Sequence, residues 1–179
     1  MSIKCRDMEL AIANFFNYRQ NIIVPNVSWG AGLHECDILV IKPSGIAIEV
    51  EIKVSLSDLK KDLEKKHKHK SKHIRMCYFA IPDKMIKHLD LIPERFGVIV
   101  VKDNSISKWQ TRIERPATIN KASDKMSQDK INKIMHLGTM RIWSLKDKNR
   151  DLKLKLDSVF NKIEIYEQWR DKNESCING

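Results

Sequence analysis

Between Ile46 and Val54 the chain alternates. Ile46, Ile48, Val50, Ile52 and Val54 are apolar, while Glu49, Glu51 and Lys53 fall between them. A period of two predicts a β-strand with one face turned toward a core. The charged face, taken alone, reads as a solvent face. Upstream, Met8, Ala11, Ile12, Phe15 and Phe16 are spaced to bury one side of a helix over residues 5–19. The run "NIIVPNVSW" predicts extended chain, and its Pro25 assigns it to a sheet edge or a bulge. "GAGLHE" is a glycine-containing turn, "CDILVI" a strand opening near Asp37, and "KPSG" the hairpin turn into strand 46–54. Ser55 suits the N-cap of a helix over 56–66, with Asp58 in its first turn. Strands follow at 76–81, 97–101 and 105–114, with a short helix from Pro82 through Leu89. The order α–β–β–β–α–β–α–β–β predicts an α/β fold whose mixed sheet carries helices on both faces.

Beyond Pro116 the pattern changes, and the chain divides into a core over 1–116 and a C-terminal helical extension over 117–179. Leu145, Leu152, Val159 and Tyr166 recur every seven residues, with Leu156 and Ile163 in a second register. That heptad stripe fits a long helix that packs back on the core, pairs with a helix over 123–142 as a hairpin, or forms a homodimer.

With 179 residues, 42% of them hydrophobic and 31% charged, the chain is long enough for one domain with a core and an appendage. It holds no run of about 18 apolar residues and no apolar stretch near its start, so no membrane association and a cytoplasmic setting are expected. Cys5, Cys36, Cys77 and Cys176 are scattered without a Cys-x-x-Cys pair, which favours free thiols. Thirty-three Lys and Arg against 23 Asp and Glu give +10. The surplus is concentrated in "KKDLEKKHKHKSKHIR", residues 60–75, with eight basic and two acidic side chains. Such a cluster attracts polyanions, nucleic acid foremost, through Lys60, Lys61, Lys65, Lys68, Lys70 and Lys72. A solvated lysine-rich helix end is the plainer reading. His67, His69 and His73 offer a transition-metal tract as a rival, but crowding lysines and the lack of a following Cys or acid weaken it.

The charged face of strand 46–54 changes meaning beside its neighbours. Asp37 opens the preceding strand, and a short turn makes the two strands adjacent. Glu51 and Lys53, two residues apart, point to one face. A carboxylate from each strand can converge on Mg²⁺, which needs only one or two protein carboxylates and fills its shell with water and phosphate oxygens. The Ile52 carbonyl is a further candidate ligand. A lysine beside such a site can hold or deprotonate the attacking water and offset charge on a phosphate. An isolated Glu-x-Lys means little. Here it ends an apolar strand, follows an aspartate one strand back, and precedes a helix with a basic end.

In that context "HECDILVI", "GIAIEVEIKVSLSDLKKDLEKKHKH", "MCYFAIPDKMI" and "FGVIVV" together resemble the core of the PD-(D/E)xK nuclease superfamily. The Glu-x-Lys-Val-Ser-x-x-Asp run and the later "YFAIP" and "GVIVV" strands are similar to MmcB-like DNA repair proteins. The resemblance covers roughly residues 5–115. It implies a restriction-endonuclease-like three-layer core, Mg²⁺ or Mn²⁺ dependence, and nucleic acid, in particular DNA, as substrate. By the same resemblance Asp37 is the motif's aspartate, Glu51 its second acid, Lys53 its lysine, and Glu9 the first-helix glutamate near the metal. Cys36 stands where the motif's proline would be. Glu49 reads as a bystander that supports the site, faces solvent or meets a cross-strand lysine. Asp58, Asp62 and Lys65 share a helix face, with Asp58 and Lys65 the ones able to reach the site. The expected activity is metal-dependent hydrolysis of phosphodiester bonds. The alternatives are a catalytically silent nucleic-acid-binding protein on the same fold, and a partner-recruiting protein that works through its heptad helix.

Overall fold

The fold, taken from a computed structural model that describes residues 3–27, 32–63, 71–104 and 108–177, follows the predicted order. Among the described residues, six strands form one sheet in sequential order: β1 (Ile22–Val27), β2 (Cys36–Ile41), β3 (Ala47–Ile52), β4 (Ile74–Pro82), β5 (Gly97–Asn104) and β6 (Lys108–Arg115). The central β3, β4 and β5 run parallel, and the flanking pairs are antiparallel. Parallel neighbours require crossovers. Helix α2 (Leu56–Leu63) lies in the first, and a 3₁₀ segment (Asp83–Leu91), kinked at His88, lies in the second. The antiparallel β2–β3 step is a tight turn in which Gly45 takes φ 79°, a left-handed conformation natural to glycine. Pro25 sits in β1, the edge strand, where its missing N–H interrupts nothing.

Both sheet faces are covered. Helix α1 (Cys5–Phe15) sets Met8, Ala11 and Ile12 against Ile38, Val40, Ile48, Val50 and Tyr78. On the opposite face Leu59 of α2 and Met85 of the 3₁₀ segment pack with Leu39, Cys77, Phe79 and Val98. The start of helix α3 (Gln128–Ile177) joins that second layer through Ile134 and Leu137. The compact unit therefore runs to Gly138, past the boundary near Pro116 that the change in composition suggests. Met126, Ile134 and Leu137 are core residues of the sheet domain, and helical periodicity alone does not show which core a helix serves.

The second unit is Thr139–Gly179. It is the continuation of α3, which is helical from Gln128 to Ile177 without a break. A hairpin of helices over 117–179 is therefore ruled out, and the heptad positions from Leu145 to Tyr166 are exposed.

Candidate active site

All six residues of β3 are buried, because a central strand in a sheet covered on both sides has no solvent face. Glu49, Glu51 and Lys53 thus lie inside the protein. Burying charge is tenable only with partners, and the local geometry supplies them. The β2–β3 ladder ends at Ile38 opposite Val50. One step further, where Asp37 faces Glu51, side chains replace the ladder. The Ile52 N–H donates to Asp37 Oδ2 at 2.7 Å, and the Asp37 N–H donates to Glu51 Oε1 at 3.3 Å. Each carboxylate thereby satisfies a main-chain donor on the other's strand.

Lys53 closes the cluster. Its Nζ lies 3.1 Å from Glu51 Oε2, 3.0 Å from Asp62 Oδ1 and 3.8 Å from Asp37 Oδ2. Asp62 reaches it from α2, whose start is fixed by Ser55: the Ser55 hydroxyl accepts from the Asp58 N–H at 3.2 Å, the predicted N-cap. Of the four side chains, Asp37 alone meets solvent appreciably, at 35% exposure, against 1% for Glu51. Asp37 is the opening of the site and Glu51 its floor.

Three carboxylates around one ammonium leave the cluster short of positive charge. Burial, then repulsion from Asp37, pushes the Glu51 carboxyl up to about 7, against the pull of Lys53. For Lys53, burial favours the neutral amine, but Glu51, Asp62 and Asp37 together outweigh it and raise the pKa above the ordinary lysine value. Lys53 is therefore a cation and donor at neutral pH, and the lysine in this cluster is not poised to deprotonate water. Burial followed by the nearby glutamates also raises the Cys36 and Cys77 thiols, which keeps them protonated and inert.

The structure brings Asp37, Glu51, Lys53 and the Ile52 main chain together, and for Glu9 it shows a different contact. That residue lies on α1, over the opposite sheet face, and its Oε1 accepts from the Asn26 amide at 3.4 Å. The Cys5 thiol at the start of α1 is raised by burial, then by Glu9, Asp37 and Asp58, so these three carboxylates act on one side chain. Glu49 is not a solvent-facing bystander. It is fully buried, and its Oε1 is 2.8 Å from His34 Nε2, on the segment leading into β2. The sequence offers His34 as a loop residue able to approach substrate and Glu49 as a supporting residue, but it does not predict their pairing, because each is also an ordinary surface residue. It also favoured Asp58 and Lys65 over Asp62. The usable signal was Leu59, three residues before Asp62 on the core-facing stripe of α2.

Of the basic segment, Lys60 and Lys61 are exposed on α2 and Lys72 is exposed before β4. Lys65, Lys68 and Lys70, like His67 and His69, lie outside the described residues. Arg75 is committed to the fold, donating to Lys121 O at 3.2 Å and to Ser123 Oγ at 3.5 Å. His73 is buried, with Nε2 against the Lys130 ammonium.

Among the described residues no three His, Cys, Asp or Glu side chains are arranged as a metal-binding group. A site built from protein ligands alone is thus absent from them. The paired carboxylates of Asp37 and Glu51 are the residues able to hold a hard cation that keeps most of its waters.

Residues 4–149 match the family described as DNA repair protein MmcB-like. The chain belongs to the MmcB-like family. The match takes in the whole sheet and the charge cluster, and ends within α3. Among solved structures, SPO1766, a protein of unknown function from Silicibacter pomeroyi, is similar in fold, with a TM-score of 0.62 at 17% identity. That likeness covers 83% of this chain and 96% of the other. No curated protein matches the sequence. No described helix of this MmcB-like chain is long and apolar enough to cross a membrane.

Proposed function

We propose that this MmcB-like chain is a metal-dependent nuclease that hydrolyses phosphodiester bonds in DNA, with a PD-(D/E)xK type of site. The observation that carries the reading is the buried cluster at the end of β3. There Asp37 opens to solvent while Glu51, Lys53 and Asp62 hold one another behind it. The family's name, DNA repair protein, supports nucleic acid as the substrate, and the exposed Lys60, Lys61 and Lys72 suit its phosphates.

Asp37 and Glu51, with the Ile52 carbonyl, would hold Mg²⁺ or Mn²⁺. When bound, the cation supplies Lewis-acid polarisation of a phosphoryl oxygen and charge stabilisation. Lys53, protonated, donates to the attacking water and offsets charge building on the phosphate. Asp62 positions that ammonium from α2. In an Mg²⁺ or Mn²⁺ cleavage assay on DNA, Asp37→Asn and Lys53→Ala should each lower the rate about 100-fold or more. Undiminished cleavage by both would overturn the assignment.

One observation favours the silent DNA-binding alternative: the Lys53 ammonium already sits among all three carboxylates, where a cation is needed. Calorimetry with Mn²⁺ separates the two. Heat that Asp37→Asn abolishes supports the nuclease, and no heat with the unaltered chain supports the silent binder.

A further inference from the structure

The continuation of α3 carries a seam that the sheet domain's chemistry leaves unused. Assigning heptad positions from the four-three spacing of Leu152, Leu156, Val159, Ile163 and Tyr166 extends the register backward without a break. Leu145, Leu152, Val159 and Tyr166 are the d positions. Ile142, Asn149, Leu156 and Ile163 are the a positions. These side chains are exposed, Leu152 at 62% and Ile163 at 47%. Phe160 and Trp169 border the seam, while Trp143, Leu154 and Ile165 lie off it. A seam of this length with a single polar Asn149 at an a position is the pattern by which two-stranded coiled coils fix register.

The flanks say which partner fits. The e and g positions along this stretch include Lys146, Lys148, Lys153, Lys155 and Lys162, with Glu167 the acid among them. In a parallel pair of this helix with itself, g faces the following e of the partner, so Lys148 meets the second copy's lysine at 153. Lys155 meets a phenylalanine, and only Lys162 finds an acid, at 167. In an antiparallel pair e faces e and g faces g, and the lysines oppose one another more fully. Like charges across such a seam disfavour pairing and select against the self-complex. The helix's own acids do not relieve this: Asp147 and Asp151 lie on the outer face, where Arg150 takes them at 3.2 and 3.4 Å. Lys146 lies over the Trp143 ring.

We propose that residues 139–170 form one strand of a heterotypic two-stranded coiled coil, and that its partner is a protein helix with apolar a and d positions, acidic e and g positions, and an asparagine opposite Asn149. The seam supplies the binding energy, and the lysine flanks choose the partner and set the association rate.

The test uses the full chain and designed peptides of about four heptads, with Ile and Leu at a and d and one a-position Asn. One peptide has Glu at every e and g position, one has Lys there, and one is a scramble of the Glu peptide. The chain alone should sediment as a monomer. It should bind the Glu peptide about tenfold or more tighter than the scramble, with affinity falling as salt rises, and should ignore the Lys peptide. The fourfold variant Lys148→Glu, Lys153→Glu, Lys155→Glu, Lys162→Glu should reverse that preference. Since all four side chains are exposed, the circular dichroism of the sheet domain should be unchanged. Self-association of the chain through this helix would overturn the proposal in favour of a second copy. Equal binding of the scramble would reduce the effect to charge alone, and an unaltered preference in the fourfold variant would remove the flank argument; either result overturns it as well.

Discussion

At the end of β3, Glu49, Glu51 and Lys53 are sealed among apolar side chains, while along α3 beyond Gly138, Leu152, Leu156 and Ile163 stand in solvent. Each region reverses the usual partition of a globular chain. The two reversals are sustained differently. The buried charges find partners locally: an ammonium lies within 3.8 Å of three carboxylates, and a histidine lies 2.8 Å from the remaining glutamate. The exposed apolar side chains have no such internal remedy among the described contacts of their unit. A reversal satisfied from within is where the proposed chemistry is placed, and one left open is where the proposed partner is placed.

The largest effect should come from removing the cation on which the cluster converges. Lys53→Met leaves Asp37, Glu51 and Asp62 facing one another, and losing one partner of a buried charge network costs about 3–5 kcal/mol. The loss should depend on pH. Glu51 has a folded-state pKa raised from its ordinary value to about 7, so its contribution to stability is fully present below about 4.5 and lost as pH rises through 7. Without Lys53 the carboxyl should rise further, extending that window upward. Lys53 itself, with a raised pKa, contributes stability that persists below its ordinary value near 10.5 and fades only above it. Urea unfolding in EDTA should therefore show Lys53→Met closer to the unaltered chain at pH 5 than at pH 8. A deficit independent of pH would mean the cluster is not electrostatically coupled, and the contrast with α3 would lose one side.

A smaller effect separates the two buried glutamates. His34→Ala removes the imidazole 2.8 Å from the buried Glu49 carboxylate, and losing that contact should cost about 1–3 kcal/mol. If Glu49 only supports the fold, DNA cleavage by the surviving folded protein should be nearly unaltered. A rate lost together with stability would draw His34 and Glu49 into the reacting site.

Much of this was legible in the sequence for a physical reason. Period-two alternation and turn chemistry are local, so the strands, the β2–β3 turn at Gly45 and the Ser55 cap follow from neighbouring residues. Asp37, Glu51 and Lys53 were legible because a short turn makes sequence order predict spatial adjacency. What escaped depends on distance in three dimensions. Asp62 turns inward because α2 lies over β3, and Glu49 is hidden because both sheet faces are covered. Glu9 was placed near the metal by the resemblance alone, and the sequence does not say which face helix α1 covers. The boundary at Pro116 falls short of Gly138 for a related reason: Ile134 and Leu137 have the spacing of any amphipathic helix, and that spacing does not say which core they join.

The smallest expected effect is the sharpest discriminator between the two regions. Leu156 and Ile163 are exposed, so replacing either with serine removes no packed core contact and should change the stability of the sheet domain by less than about 0.5 kcal/mol. Serine is a poorer helix former than leucine, so a slight loss of helical signal is expected from α3 alone. The DNA cleavage we propose should be unaffected, because the carboxylates and the lysine lie in the other unit. If a partner helix covers the seam, the same substitutions should sharply weaken its binding, since an apolar a position turned polar forfeits the burial that drives association. A marked drop in the urea midpoint of the sheet domain after Leu156→Ser would show instead that the stripe is covered by the chain itself. The apolar side chains would then belong to the core, and the second reversal would vanish.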